Sequence, residues 1–252
     1  MSDTSAATWP AFTGLEEYGT FRVAAVILAR NEQHTVGDVV RAAARYVHVV
    51  ALVDGRSTDG TADEARAAGA VVHIDDGRGK GSAIRQSLRL VDADILVFID
   101  ADGSHDPADI PRLAAPIVSG RADLCVGSRF TGGSEELSVS IGQLVRTIGN
   151  VSMNIAINRR WHVALTDTLN GFRAIRRSVA LEIDLRENTH TIEQEMVMRT
   201  LRYGYRVVNV PTHERARRHG ESHIHIWREW PTFVWCVAIN LLRRDRPSAR
   251  TS

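Results

Sequence analysis

The sequence predicts an α/β domain in which helices cover both faces of a mostly parallel sheet. Two observations lead to this fold class. Short runs that are apolar at every position recur along the first half of the chain, and stretches with helical periodicity separate them. A fully apolar run of strand length is typical of a strand buried on both faces, as parallel strands are. With 252 residues, the chain is long enough for one large domain of this class or for two small ones.

Strands and helices are predicted to alternate up to residue 130. The predicted strands are Arg22–Ala29, Val47–Val53, Ala70–Ile74, Asp94–Ile99 and Asp123–Val126. The predicted helices are Val36–Tyr46, Thr61–Ala68, Lys80–Val91 and Ala108–Val118. After residue 130 the alternation weakens. The elements predicted there are a loop at Thr131–Glu136, long helices at Val139–Ile157 and Ile192–Tyr203, and a strand at Arg206–Val210.

The composition excludes several classes of protein. With 44% hydrophobic and 24% charged residues, the chain is neither collagen-like nor disordered. Its 31 basic and 30 acidic side chains give a net charge of +1, which argues against nucleic acid as a partner. Cys125 and Cys236 lie far apart in apolar runs, so no disulfide framework is expected, and the segment Met1–Gly19 lacks the apolar core of a signal peptide. We therefore expect a cytoplasmic protein.

One apolar stretch near the C-terminus, Pro231–Leu242, is about half as long as the ~20 residues that a membrane-spanning helix needs. Arginines flank it on both sides, and Trp227, Trp230 and Trp235 lie in or beside it. This composition fits a helix that lies on the surface of an anionic membrane, with Trp and Arg at the level of the headgroups. It also fits a C-terminal helix packed on the domain, and both interpretations stay open.

The segment Phe98–Pro107 carries the most informative chemical pattern in the sequence. A predicted buried strand ends there, and Asp100 and Asp102 follow at positions i and i+2. In an extended chain these positions point to one side, where two carboxylates repel each other unless a cation lies between them. Mg²⁺ and Mn²⁺ prefer carboxylate oxygens, and open α/β sheets bind ligands at the carboxyl ends of their strands. Taken alone, the pattern also fits an Asp- and Gly-rich turn.

Two other predicted strands bring polar residues to the same edge. The first leads into Ala29–Glu32, and the second into Asp54, which is able to bind a base or ribose or to hold a local turn. Asp59 is interpreted mainly as a helix cap. The segment Gly77–Ser82 is not a P-loop, because glycine rather than Ser or Thr follows its lysine. Lys80, at the start of a helix, is placed to meet a phosphate, although a glycine turn with a surface lysine fits as well.

Further motifs follow the same order along the chain. The full set is Asn31-Glu32, Val53–Thr61, Gly79-Lys80-Gly81, Asp100-Ala101-Asp102, Gly127-Ser128-Arg129, Asp167, Gly171-Phe172-Arg173, Glu195, Pro211 and Arg218-x-Gly220-x-Ser222. This set resembles glycosyltransferase family 2, and within it the polyprenyl-phosphate (dolichol-phosphate) mannose and glucose synthases. The resemblance covers roughly Val23 to Ile226. Each motif alone is weak, but their order and spacing are specific for the superfamily.

The resemblance implies a GT-A type fold with a Rossmann-like sheet. It also implies an inverting transfer of a sugar from a UDP- or GDP-sugar to a polyprenyl phosphate, with Mg²⁺ or Mn²⁺ held by Asp100 and Asp102 against the donor diphosphate. The implied donor site is Ala29, Glu32, Asp54, Lys80, Asp100, Ala101, Asp102 and Arg129. The implied acceptor- or phosphate-binding residues are Arg218, Ser222 and His223. The implied catalytic residues, facing the sugar and acceptor, are Asp167 and Glu195.

On this basis the chain divides into four parts. Residues 1–20 form an N-terminal arm, and 21–130 form the nucleotide-sugar-binding half of the domain. Residues 131–226 form its acceptor-binding half, and 227–252 form an amphipathic helix with a basic tail. Such a protein is expected in the cytoplasm, with the inner face of the membrane as a peripheral contact.

The acceptor decides whether the reaction needs a base. A phosphate monoester has its second pKa near ~6, so it is largely dianionic at neutral pH and needs only cations to place it. A hydroxyl acceptor needs a general base, for which Asp167, Glu193 and Glu195 are the candidates. Because positions i and i+2 of a helix do not share a face, we favour Glu195 and expect Glu193 to be solvated.

Departures from the family pattern keep a second hypothesis open. Gly55 replaces the second Asp of the usual Asp-Asp-Gly-Ser run, Ser104 replaces a Gln common in the polyprenyl enzymes, and His223 replaces a Lys. The alternative is a soluble family 2 enzyme acting on a hydroxyl of a small molecule or polysaccharide. A sugar-1-phosphate nucleotidyltransferase is disfavoured because no glycine-rich loop follows the first strand. A non-catalytic nucleotide-sugar binder is disfavoured because both aspartates are present.

Overall fold

The structure, a computed structural model, describes residues 12–135, 141–216 and 226–243, without the side chains of 141–148 and 226–231. The strands of the described part are β1 (Val23–Ala29), β2 (Val49–Asp54), β3 (Val71–Ile74), β4 (Ile95–Asp100), β5 (Leu124–Ser128), β6 (Arg173–Arg176) and β7 (Val207–Pro211). The helices are α1 (Val36–Ala43), α2 (Thr61–Ala67), α3 (Lys80–Leu90), α4 (Ile110–Val118), α5 (Arg129–Gly132), α6 (Ile141–Trp161), α7 (Arg177–Glu182), α8 (Ile192–Arg202) and α9 (Ile226–Leu242).

The strands form one sheet in the order β3-β2-β1-β4-β6-β5-β7. The pairs β1–β2, β1–β4, β2–β3 and β5–β7 are parallel, whereas β6 is antiparallel to both of its neighbours. The predicted mostly parallel sheet is therefore confirmed. All strands except β6 end at the same edge of the sheet, and β6 begins there. This direction brings the residues just before β6 next to the end of β4.

β6 and the short helix α7 that follows it are absent from the sequence prediction. The reason is the composition of the strand, Arg-Ala-Ile-Arg, which contains no apolar run. The strand is nevertheless central: Arg173 pairs with Phe98 and Ala174 with Val97 of β4. Its buried Arg173 satisfies the guanidinium with main-chain carbonyls, which a pattern of hydrophobicity does not reveal.

Helices cover both faces of the sheet, as predicted. Alternate side chains of β1 point to opposite faces, so that Val26 packs on one side and Ile27 on the other. The first side is covered by α3, α6, α7, α8 and α9. The second side is covered by α1, α2 and α4. Fully buried side chains such as Phe98 each contribute about 1.5–3 kcal/mol of hydrophobic stabilisation.

The C-terminal helix α9 packs on α8 and α6 through its inner face, where Cys236 and Val237 are buried. Its outer face leaves Trp235 67% and Leu242 86% exposed. The packed interpretation of this segment is thus correct for the inner face, and the outer face retains the apolar residues of the surface-helix interpretation. No helix in the described part of the chain is long and apolar enough to cross a membrane.

Candidate active site

A cavity of about 490 Å³ opens at the edge where the parallel strands end. This volume lies within the range of pockets that hold small ligands. The acidic residues of its described lining are Glu32, Asp75, Asp100, Asp102, Glu193 and Glu214. The Arg and Lys residues of the lining are Arg30, Lys80 and Arg129. Six carboxylates against three such cations give the cavity an excess of negative charge that a bound cation is able to compensate.

Most of the predicted donor site lies in this lining. The predicted residues found there are Ala29, Glu32, Lys80, Asp100, Ala101, Asp102 and Arg129. Asp54 is the exception, since it is 2% exposed and its carboxylate accepts hydrogen bonds from the main chain and hydroxyl of Ser57. Asp54 therefore holds the local turn, which was the other interpretation of this residue.

Asp75, at the end of β3, lines the cavity instead of Asp54. Its carboxylate accepts a 2.7 Å hydrogen bond from the main-chain N–H of Gly77, and its burial raises the pKa of the carboxyl group. β3 is short and half exposed, which makes its end a weak signal in the sequence. The rule that strand ends carry the ligand site applies to Asp75 as it does to Asp100.

Lys80 lies between two carboxylates. Its Nζ is 2.9 Å from Asp100 Oδ1 and 2.8 Å from Glu193 Oε1. Burial acts to lower the pKa of Lys80, but the charges of Asp100 and Glu193 outweigh it, and the pKa is raised. The lysine is therefore charged at neutral pH and is not a surface residue. Glu193, expected to be solvated, is buried in the cavity wall.

Gly171 provides the space for this arrangement. Because β6 begins at the ligand edge, Gly171 lies beside the end of β4. A Cβ at this position would lie 3.0 Å from Asp100 Oδ2, from Glu193 Oε1 and from Lys80 Nζ. Such distances are tighter than nearly all real Cβ contacts. A side chain at position 171 would require the three charged groups to shift by a few tenths of an ångström.

Asp102 is held in place by the turn that follows β4. Its Oδ1 accepts hydrogen bonds from the main-chain N–H of Ser104 at 3.0 Å and from the Ser104 hydroxyl at 2.7 Å. Next in the chain, His105 stacks on Phe172, with ring centroids 5.0 Å apart. Burial lowers the pKa of His105, and its Nδ1 has no hydrogen-bond partner among the described residues. A neutral buried imidazole thus lines the cavity near the two aspartates, a residue that sequence reasoning did not single out.

Asp167 forms an ion pair with Arg129 and does not line the cavity. Arg129 Nε is 2.7 Å from Asp167 Oδ2, and Nη2 is 3.2 Å from Oδ1. Burial acts to raise the pKa of Asp167, but the guanidinium outweighs it and the pKa is lowered. A carboxylate with a lowered pKa is a poor general base. Arg129 Nη1 also lies 3.6 Å from Glu214 Oε1, so the arginine carries two acidic neighbours.

Glu195 lies outside the cavity lining as well. Its Oε1 is 2.6 Å from Arg199 Nε, and its Oε2 accepts the main-chain N–H groups of Arg186 and Glu187. In the structure Glu195 fixes the turn before α8, and its predicted place beside the sugar stays a prediction. The helix periodicity argument holds, since residues 193 and 195 face different surroundings, but Glu193 is the one that lines the cavity.

The described donor set fits a hard divalent cation. Asp100 and Asp102 bring carboxylate oxygens to one strand end, and such oxygens are the ligands that Mg²⁺ and Mn²⁺ prefer. No group of three or more His, Cys, Asp or Glu side chains forms a complete metal cage among the residues the structure covers. Water or a ligand such as a diphosphate would supply the further oxygens that a cation needs here. The predicted phosphate-binding residues Arg218, Ser222 and His223 lie outside the described residues.

Comparison with known sequences identifies related proteins. The model of the family described as Glycosyl transferase family 2 matches residues 24–184. Glycosyltransferase AglJ of Haloferax volcanii is 30% identical over 195 residues, which are 76% of this chain and 62% of that protein. The chain thus spans less than two thirds of AglJ. An undecaprenyl-phosphate mannosyltransferase of Micrococcus luteus is 33% identical over 186 residues, 69% of this chain and 74% of that protein.

Comparison with solved structures identifies the same architecture. Glucosyl-3-phosphoglycerate synthase from Mycobacterium tuberculosis, solved with Mn²⁺, UDP-glucose and phosphoglyceric acid, superposes with a TM-score of 0.74. The match covers 96% of this chain and 93% of the other, at 19% identity. At this identity the likeness establishes the fold alone, which is that of the GT-A glycosyltransferases.

Proposed function

The chain belongs to glycosyl transferase family 2, and we propose that it is a metal-dependent, inverting hexosyltransferase that uses a polyprenyl phosphate as acceptor. That it is a glycosyltransferase using a nucleotide-sugar follows from the family. The metal, the stereochemistry and the acceptor are the proposal. The observation that carries it is the pair Asp100 and Asp102 at the end of β4, in a cavity with more carboxylates than cations.

On the donor side, Asp100 and Asp102 would hold Mg²⁺ or Mn²⁺. When bound, the cation supplies positive charge to the diphosphate leaving group. Lys80 and Arg129 line the same cavity, where each already pairs with two carboxylates, so the cation would be the main source of uncompensated positive charge. The residues that we assign to the nucleoside are Ala29, Glu32 and Asp75, which line the cavity at the ends of β1 and β3. Asp167 is assigned the task of orienting Arg129.

On the acceptor side, two observations support a lipid phosphate. The mannosyltransferase of Micrococcus luteus is named for undecaprenyl phosphate. The outer face of α9 exposes Trp235 and Leu242, and the adjacent α6 exposes Ile155. Apolar side chains on an outer helix face, followed by the exposed Arg243, are typical of a helix that rests on an anionic membrane surface. We therefore propose a peripheral enzyme on the inner face of the membrane.

One observation favours a second candidate acceptor, a hydroxyl group of a soluble molecule. Arg129 is already compensated by Asp167 and has Glu214 as a further acidic neighbour, so the described acceptor side offers little net positive charge to a phosphate. A hydroxyl acceptor needs a base within hydrogen-bond reach. Glu193 and Glu214, which line the cavity, replace Asp167 and Glu195 as candidates for this role.

The test measures sugar transfer by the purified protein with a panel of UDP- and GDP-sugars. Each donor is supplied with Mn²⁺ or Mg²⁺, with and without a short polyprenyl phosphate. We expect a metal-dependent glycolipid product with one donor and its loss in Asp102→Asn. Asp63→Asn, on the exposed surface of α2, serves as the matched control and retains activity. Metal-dependent donor hydrolysis without a lipid product would favour the hydroxyl acceptor, and failure of every donor to react or bind would overturn the proposal.

A further inference from the structure

The ammonium group of Lys80 competes with the proposed cation for the carboxylate of Asp100. The ammonium contacts Asp100, one of the two aspartates assigned to the metal, at 2.9 Å. The lysine side chain is only 16% exposed, so its charge depends on nearby carboxylates rather than on water. A divalent cation and this ammonium require the same negative charge on Asp100. Binding of the cation therefore depends on whether Lys80 gives up its contact with Asp100.

Glu193 offers Lys80 a second partner that the metal does not need. Its Oε1 lies 2.8 Å from Lys80 Nζ, and the side chain is 9% exposed. The main chain of Glu193 is fixed as well, because its carbonyl accepts a 2.6 Å hydrogen bond from Arg173 Nη1. A lysine that keeps Glu193 is able to release Asp100 without leaving a buried ammonium unpaired.

We propose that Glu193 is a positioning residue that sets the affinity of the Asp100–Asp102 pair for its divalent cation, by retaining Lys80 when Asp100 binds the cation. The inference rests on the metal dependence proposed above and on no property of the acceptor. Without the carboxylate of Glu193, Asp100 is the ion-pair partner that remains to Lys80 among the described residues. The Lys80–Asp100 ion pair then opposes the cation more strongly.

A simpler effect has the same sign and must be separated from this one. Removal of any negative charge near a cation weakens its binding through space. That effect of Glu193 is the same whether or not position 80 carries a charge. Retention of Lys80, by contrast, requires Lys80 to be present. A double-mutant cycle between positions 80 and 193 distinguishes the two.

The experiment measures Mn²⁺ affinity by electron paramagnetic resonance on the whole chain, without donor or acceptor. The proteins compared are wild type, Glu193→Gln, Lys80→Met and the double variant. We expect Glu193→Gln to weaken Mn²⁺ binding about tenfold in the wild-type background and at most about twofold in Lys80→Met. Lys80→Met alone is expected to bind Mn²⁺ more tightly than wild type, because the competing ammonium is gone.

Two controls accompany the cycle. Glu214→Gln removes another carboxylate of the cavity, one whose described partners are Ser134 and Arg129, and should change Mn²⁺ affinity equally in both backgrounds. Thermal unfolding with and without Mn²⁺ reports the fold of each variant and gives a second measure of binding. Lys80→Gln replaces Lys80→Met if the latter does not fold.

Equal weakening by Glu193→Gln in both backgrounds would overturn the inference and leave the metal site intact. Absence of Mn²⁺ binding in wild type and in Lys80→Met would overturn both the inference and the metal-dependent function. A cycle that behaves as expected in a protein that forms no glycolipid would support the inference and reject only the lipid acceptor.

Discussion

Arg173 Nη1 donates a 2.6 Å hydrogen bond to the main-chain carbonyl of Glu193, which connects the first residue of β6 to the start of α8. The same guanidinium donates to the carbonyls of Asn170 and Thr168. A fully buried arginine thus fixes the two segments that carry Gly171 and Glu193. It links the centre of the sheet to the geometry of the charged groups in the cavity.

Replacement of Arg173 by methionine is expected to destabilise the protein. The carbonyls of Glu193, Asn170 and Thr168 would lose their donor while buried, at a cost on the order of 3 kcal/mol or more in the free energy of unfolding. Urea unfolding monitored by circular dichroism measures the change. Arg41→Met, at an exposed ion pair with Asp38, should cost no more than about 0.5 kcal/mol. Equal midpoints for the two variants would contradict the role of Arg173.

Replacement of Gly171 by alanine tests whether the close approach of Asp100, Glu193 and Lys80 depends on the missing side chain at position 171. The new Cβ would lie 3.0 Å from Asp100 Oδ2, Glu193 Oε1 and Lys80 Nζ, so these groups would have to shift by a few tenths of an ångström. Because misplacement by about 1 Å costs on the order of 10²-fold in rate, we expect this smaller shift to lower the rate by up to about tenfold. Steady-state transfer kinetics and Mn²⁺ affinity give the readout. At Gly37, a Cβ meets only the flexible guanidinium of Arg41, at 3.3 Å, so Gly37→Ala is the matched control. Wild-type activity in Gly171→Ala would show that the three groups tolerate a wider arrangement.

The Arg129–Asp167 pair predicts a defined dependence of stability on pH. Because the pKa of Asp167 is lowered in the folded protein, the pair contributes stability above the ordinary Asp pKa of about 3.9. This contribution is lost as the pH falls through the lower, folded-state pKa. The difference in unfolding free energy between wild type and Asp167→Asn should therefore be constant from neutral pH to about pH 5 and shrink below about pH 4.

Denaturant unfolding over a series of pH values measures that difference. The exposed Asp63, which pairs with Arg66 on α2, provides the comparison. At neutral pH, Asp63→Asn should change the free energy of unfolding by no more than about 0.5 kcal/mol, because the pair is exposed. A difference for Asp167→Asn that grows on acidification would have the wrong sign for a carboxylate held in its charged form.

Two neighbouring residues of α9 allow membrane contact and packing on the domain to be tested separately. Trp235 is exposed and Cys236 is buried. Trp235→Ser should abolish sedimentation with vesicles of phosphatidylcholine and phosphatidylglycerol, because it removes the largest apolar side chain that the structure describes as exposed. It should leave the melting temperature unchanged. Cys236→Ser should lower stability by about 1–3 kcal/mol through burial of a hydroxyl, with vesicle binding retained. Vesicle binding by Trp235→Ser equal to wild type would remove the outer face of α9 from the membrane proposal.

The strands with fully apolar runs could be predicted to within about two residues, because burial on both faces leaves a local signal. β1 and β4 are examples. The same reasoning placed Asp100 and Asp102 at the ligand edge, since strand direction fixes where the following residues lie. β6 could not be predicted in this way. Its central position depends on partners in β4 and β5 that lie far away in the sequence.

The roles of the acidic residues were harder to predict than their presence. Glu193 and Glu195 differ little in local pattern, and their surroundings differ because Lys80 reaches one while Arg199 reaches the other. Asp75 lines the cavity and Asp54 does not for a similar reason: the hydroxyl of Ser57 engages Asp54 within its own turn. Periodicity assigns such residues to a face, but the partner that decides the role comes from tertiary structure.

The position of β6 also determines how the molecule can be divided. β5 lies in the predicted nucleotide-sugar-binding half, 21–130, yet its described strand partners are β6 and β7, both in the predicted acceptor-binding half, 131–226. A fragment ending near residue 130 would leave β5 without a neighbour and expose the edge of β4. The two halves are therefore regions of one folding unit rather than exchangeable modules. In a chimera of two relatives that is meant to exchange acceptor specificity, β6 would have to come from the same protein as its partners β4 and β5.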